Sequence, residues 1–75
     1  MEQLKNNLKK ILLSKSTTTT PNLSITYGLC EAWIEDYFNE NTLTITKELR
    51  FNDYFYRRNP YFQKVFLEEM IAQLS

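Results

Sequence analysis

The chain has 75 residues, with a single cysteine and no histidine. This length predicts one domain covering residues 1–75. The composition excludes an internal disulfide and a zinc site of the usual Cys/His kind. Nine basic and nine acidic residues cancel, so the molecule as a whole has no general attraction for nucleic acid or anionic lipid.

The opening residues lack the basic and then apolar pattern of a secretory signal. No apolar stretch approaches the roughly 18 residues of a membrane span. Together with one free thiol, these features predict a cytoplasmic protein without a membrane partner.

The first predicted element is a helix over Met1–Leu13. Apolar residues recur on one of its faces at helical spacing, namely Leu4, Leu8, Ile11 and Leu12. Residues 15–22 contain Thr17–Thr20 and then Pro21. Because β-branched residues are poor helix formers and the residue before a proline avoids the α region, this segment is predicted to be a linker, with a short strand as the alternative.

The second predicted element is a core helix over Ile25–Phe38. Its apolar stripe is two residues wide and comprises Ile25, Leu29, Cys30, Trp33, Ile34, Tyr37 and Phe38. Gly28 inside a helix costs about 1 kcal/mol relative to alanine, which suggests that another backbone approaches closely there.

The segment Thr42–Phe51 fits either a strand or a helix. We expect an extended piece near residues 42–46, where threonines favour the strand form, followed by a short helical piece around Lys47–Tyr56. The last element, Pro60–Leu74, is a helix with Asn59 as its N-cap and proline at its first position. The sequence therefore predicts a mainly α fold, a small bundle of three to four helices.

Catalysis is not expected from these residues. General acid and base work near neutral pH is mostly done by histidine, which is absent. Cys30 falls on the predicted apolar stripe, which indicates a small buried hydrophobe, and Glu31 with Glu35 indicates a solvated acidic helix face. The chain is therefore predicted to be non-enzymatic, with no metal site and no cofactor.

Seven of the eleven aromatic side chains lie in the window Phe51–Phe66, around an arginine pair. Tyrosine, phenylalanine and arginine are enriched at the centres of protein interfaces. The residues expected to bind a partner are Tyr54, Phe55, Tyr56, Arg57, Arg58 and Tyr61. The sequence thus predicts a protein–protein interaction module, an adaptor, inhibitor or regulatory subunit. We expect it to form a homodimer in which the arginines bond a carboxylate, with Glu31, Glu35 or Asp36 of a second copy as candidates.

The alternative function is a small DNA-binding regulator. The segment Tyr61-Phe-Gln-Lys-Val-Phe66, preceded by Ile45-Thr-Lys-Glu-Leu-Arg-Phe51, resembles the second helix-turn-helix of AraC-type regulators. This resemblance covers about twenty residues, with Arg50 at the place of the turn glycine and about five extra residues before Tyr61. It implies a helix-turn-helix-like unit over residues 45–66 in which Arg57, Arg58 and Lys64 contact phosphates.

Overall fold

The computed structural model describes residues 1–16 and 23–75, and it shows an α+β fold. Its elements in chain order are α1 (Glu2–Lys15), β1 (Ser24–Tyr27), β2 (Cys30–Asn39), β3 (Thr44–Phe51), α2 (Asp53–Arg57) and α3 (Pro60–Leu74). The three strands form one antiparallel sheet in the order β1-β2-β3. The prediction of a mainly α, all-helical bundle is therefore wrong.

The two terminal helices confirm the periodicity argument. In α1, Leu8 and Leu12 are completely buried, and the helix continues through Lys15, two residues beyond the predicted end. Helix α3 begins at Pro60, and the side chain of Asn59 accepts a hydrogen bond from the backbone N–H of Phe62 at 2.8 Å. Lys15 thus belongs to the helix rather than to the predicted linker, whose residues 17–22 lie outside the described residues.

The predicted helix over Ile25–Phe38 is instead a β-hairpin formed by β1 and β2. Its turn consists of Gly28 and Leu29, with Gly28 at φ 63°. A positive φ at the first central residue of a two-residue loop suits glycine and fits the twist of antiparallel strands. Gly28 therefore reverses the chain, and no second backbone comes close to it.

The segment Thr42–Phe51, which by its sequence fitted either a strand or a helix, is a strand over most of its length. β3 starts at Thr44 and continues through Phe51, so the expected helical piece is confined to Asp53–Arg57. The extended form wins because β3 pairs with β2 along eight residues, from Asn39↔Thr44 to Ala32↔Phe51. A strand over Thr44–Phe51 also means that residues 45–66 do not form a helix-turn-helix.

The core lies between one face of the sheet, called here the inner face, and the three helices. Its buried side chains are Leu8, Leu12, Cys30, Ala32, Ile34, Phe51, Phe55, Phe66, Leu67 and Met70. On β2, burial alternates with the strand period, with Cys30, Ala32 and Ile34 pointing inward. α1 and α3 also contact each other above the sheet.

The sheet is longer than the helices that cover it. Ten residues of β2 span about 33 Å as a strand, whereas fourteen residues of α1 span about 21 Å as a helix. On the inner face, the exposed fraction of the side chains accordingly rises from 1% at Ile34 to 53% at Phe38. The β2–β3 hairpin therefore projects beyond both the helix layer and β1.

Candidate protein-binding surfaces

Most of the predicted binding residues surround the junction of α2 and α3. We call this the corner surface, and its residues are Tyr54, Tyr56, Arg57, Arg58 and Tyr61. Tyr61 is 78% exposed, Tyr56 and both arginines are exposed, and Tyr54 is half-buried. Five of the six predicted residues are thus at least partly accessible around this junction, where Tyr54 contacts Arg58 and Tyr56 faces the cleft beside α1.

Phe55 is the exception. Its side chain is completely buried and stacks on Phe51, with ring centroids 4.1 Å apart. The ring of Phe66 lies 5.5 Å away on another side. Phe55 therefore has no area left to offer a partner, and the structure assigns it to the core.

Two asparagines and one glutamine hold the corner surface in a fixed shape. The side chain of Asn52 accepts from the N–H of Phe55 and starts α2, as Asn59 starts α3. Between the two helices, the Nε2 group of Gln63 donates to the carbonyl oxygens of Phe55 and Arg58, at 3.2 and 3.0 Å. The corner is therefore preorganised, which lowers the entropy lost on binding.

The guanidinium of Arg58 lies between two aromatic rings. Its Cζ atom is 4.3 Å from the ring centroid of Phe62 and 5.0 Å from that of Tyr54. Stacking on ring faces fixes a guanidinium while leaving its N–H groups free to bond in their own plane. Arg58 is therefore held ready to bind a carboxylate.

The cations on the sheet, unlike the corner arginines, form ion pairs with carboxylates. Lys47 contacts Asp36 at 2.7 Å, and Arg50 contacts Glu35 at 3.1 Å and Glu48 at 3.0 Å. Within residues 1–16 and 23–75, no acidic side chain forms an ion pair with a corner arginine. The carboxylates of Glu35 and Asp36, expected to serve a second copy, are thus already paired within their own chain.

A second exposed surface lies at the end of the β2–β3 hairpin, where sequence reasoning placed no site. We call it the hairpin tip, and its apolar residues are Tyr37, Phe38, Leu43 and Ile45. Each is more than half exposed, with Leu43 at 78% and Ile45 at 66%. The alternation Leu43-Thr-Ile-Thr46 was the available signal, but it could not show that the helix layer ends short of it.

Leu43 also adopts an unusual backbone conformation. Its φ is 55°, and it is the only residue other than glycine with a positive φ among those described. This left-handed region disfavours leucine, and a glycine or asparagine would suit the turn better. A strained residue that exposes an apolar side chain is a reason to look for a binding role.

Cys30, the one thiol, lies in the core rather than in a site. It is 1% exposed on the inner face of β2. Burial raises the pKa of the Cys30 thiol, and the positive charge of Arg58 acts in the opposite direction without cancelling this effect. A buried, protonated thiol is a poor nucleophile.

We expect the free energy of unfolding to fall as the pH rises above about 8.5, the ordinary thiol pKa. The folded state holds the thiol proton more tightly than the unfolded state, so deprotonation favours unfolding until the pH passes the raised pKa of the folded state. Urea denaturation at a series of pH values should show this decline. Cys30→Ala should remove part of the fall in unfolding free energy with pH above about 8.5. An unchanged fall would contradict a raised pKa for the Cys30 thiol.

Other kinds of site find little support in the described residues. Across residues 1–16 and 23–75, no three His, Cys, Asp or Glu side chains are grouped so that they could hold a metal ion. None of the helices described is both long enough and apolar enough to cross a membrane. Comparisons with protein-family models, with curated proteins and with solved structures found no match.

Proposed function

We propose that this chain is a non-enzymatic protein–protein interaction module that binds an acidic segment of a partner protein through the corner surface. One observation carries the proposal: two exposed arginines, one of them fixed between aromatic rings, lack an acidic partner within the described residues. The rings of Tyr56 and Tyr61, close to the arginines in sequence, are also exposed. Tyrosine supplies large contact area at low entropic cost, and arginine supplies charge-assisted hydrogen bonds.

The proposal specifies the chemistry of the partner. Arg57 and Arg58 concentrate positive charge in a molecule whose net charge is zero, which favours carboxylates and steers their approach. An adaptor, inhibitor or regulatory subunit would use such a surface without any chemical step. The single thiol, buried in the core, suits a cytoplasmic setting.

We expect Arg57→Glu to weaken binding of a glutamate-rich peptide at least about tenfold, as loss of an arginine at an interface centre does. Amide NMR shifts of isotope-labelled protein, titrated with the peptide, give both the affinity and the site. The matched control is Lys10→Glu, which makes the same change of charge on the exposed side of α1. It should bind the peptide with nearly the affinity of the wild type.

Three results would count against the proposal. Equal loss in Arg57→Glu and Lys10→Glu would reveal general charge attraction rather than a site. Shifts that avoid residues 54–61 would place binding elsewhere. Binding of a short DNA duplex through the same arginines, with an affinity that falls by orders of magnitude between low and physiological salt, would support the DNA-binding alternative instead.

A further inference from the structure

The apolar side chains of the hairpin tip are exposed and do not belong to the hydrophobic core. Pairing of β1 with β2 ends at Trp33, and the last hydrogen bond between them joins the N–H of Ile34 to the carbonyl of Leu23 at 3.3 Å. Beyond that point, among residues 1–16 and 23–75, only β2 and β3 pair. Two-stranded ribbons are marginally stable in water, so an exposed ribbon with Phe38 and Ile45 side by side on its inner face is a candidate for an interface.

The free edge of β3 can be read from the hydrogen-bond pattern. The N–H of Asn52 donates to the carbonyl of Glu31, and the register then makes Glu35↔Glu48 and Tyr37↔Thr46 hydrogen-bonded pairs. The alternate residues of β3, Ile45 and Lys47, therefore point their backbone N–H and C=O groups away from β2. No described residue bonds to these N–H groups. An unprotected edge of this kind pairs readily with another strand.

The other half of the edge is flanked by the helix layer. Residues of α1 and α2, including Lys5, Lys9 and Tyr56, share a cleft of about 290 Å³ with Leu49 and Phe51. A strand added there would meet helix side chains. The open part of the edge is therefore the part nearest the turn, around Ile45.

We propose that a second copy of this chain pairs with β3 at its open end, as an antiparallel strand related by a two-fold axis through Ile45. In this register Ile45 faces Ile45 of the second copy, Thr44 faces Thr46, and Lys47 lies opposite the start of the turn at Leu43. No like charges are opposed, whereas centring the pairing on Lys47 or Glu48 would set each against itself. On the inner face the pairing forms one apolar row across four strands, with a Phe38 at each end.

The exposed side chain of Leu43 lies in the turn at this end of the hairpin, where it extends the contact toward the stem of Lys47 in the second copy. The tip has only four exposed apolar side chains, far fewer residues than the roughly 20–30 a side of a standard interface. We therefore expect a weak, reversible dimer with a dissociation constant in the micromolar range. β3 separates the tip from the corner by about 26 Å, so dimerisation leaves both corner surfaces free and makes the module bivalent.

Sedimentation equilibrium over a dilution series tests the dimer. Ile45→Lys should raise the dissociation constant more than about tenfold, because it opposes two lysines at the two-fold axis. Tyr61→Lys is the matched control, because it replaces another exposed hydrophobic side chain, on the corner surface, by the same residue. It should dimerise like the wild type. A wild-type chain that stays monomeric up to about 1 mM, or an Ile45→Lys variant that dimerises normally, would overturn the proposal.

Oxidative cross-linking tests the register. Directly opposed residues of a hydrogen-bonded antiparallel pair have Cα atoms about 5.5 Å apart, within the range of a disulfide. Ile45→Cys should therefore give a covalent dimer, and Leu49→Cys, on the same edge, should not. The buried Cys30 should not react in either variant. Cross-linking through Leu49→Cys instead would refute pairing about Ile45.

The two proposals fail in different ways. If the corner surface mediates dimerisation, Tyr61→Lys rather than Ile45→Lys will dissociate the dimer. If only the peptide-binding proposal is wrong, the dimer and its cross-link will persist without peptide-induced shifts. Ile45→Lys should retain binding of the glutamate-rich peptide, since the substitution lies at the far end of β3 from the corner.

Discussion

Replacing Phe55 by alanine is expected to leave about half of the molecules unfolded at room temperature. Phe55 is completely buried, stacked on Phe51 and in contact with Phe66. Truncating such a ring costs about 3–5 kcal/mol. A single core in a chain of this length supplies only about 3–5 kcal/mol, so the loss matches the entire stability. Circular dichroism should show a helical signal reduced by about half, and urea denaturation should show no folded baseline.

The neighbouring residue provides the control. Tyr56→Ala removes a larger side chain that is 58% exposed and touches Phe51 and Phe55 only by its edge. Surface truncations of this kind usually cost about 1 kcal/mol or less, so this variant should fold and unfold cooperatively. If Phe55→Ala keeps wild-type stability, then the core assignment of its ring is wrong and the expectation that Phe55 binds a partner is restored.

Sequence reasoning located the two long helices because their signals are local. The spacing of the leucines in α1 and the Asn59-Pro60 start of α3 depend only on residues within one turn of each other. The structure confirms both, to within two residues at the end of α1. Local periodicity and capping chemistry were therefore sufficient for two of the six elements.

The β1–β2 hairpin was missed because both faces of β2 carry large apolar residues. Ile34 points into the core, whereas Trp33 and Tyr37 lie on the opposite face. Alternation is hidden when both faces are apolar, and the same residues also fit a helical stripe. Gly28 offered the better signal, as a turn residue between two runs rich in β-branched and aromatic side chains.

The two candidate sites also differ in whether local sequence signals predict them. The corner surface was predicted because its aromatic and arginine residues are neighbours in sequence. Which ring would turn inward was not predictable, because α2 is a single short turn whose orientation is set by contacts with β3 and α3. The hairpin tip depends on the difference in length between strands and helices, and that difference exists only once the sheet has formed.

Asn52→Ala is expected to produce the second large loss of stability. The Oδ1 atom of Asn52 accepts from the N–H groups of Phe55 and Glu31, at 3.2 and 3.1 Å. Its Nδ2 group donates to the carbonyl of Leu29 at 2.8 Å. One side chain thus caps α2 and ties it to the β1–β2 turn. Loss of the cap costs about 1 kcal/mol. The partly buried N–H of Glu31, left without a partner, adds about 1–3 kcal/mol, whereas the bond to Leu29 is exposed and adds little, so we expect a total near 2–4 kcal/mol.

Asn52→Asp separates the two roles of this side chain. Aspartate retains the acceptor for both N–H groups and suits the first turn of a helix, but it cannot donate to Leu29. Urea denaturation should therefore place Asn52→Asp between the wild type and Asn52→Ala. Equal losses would assign the stabilisation to the bond with Leu29 alone, and α2 would then owe its position to the hairpin turn rather than to its cap. In either case Asn52 fixes the start of the helix whose end presents Arg57 and Arg58, so its loss should also weaken binding of the acidic peptide in whatever fraction remains folded.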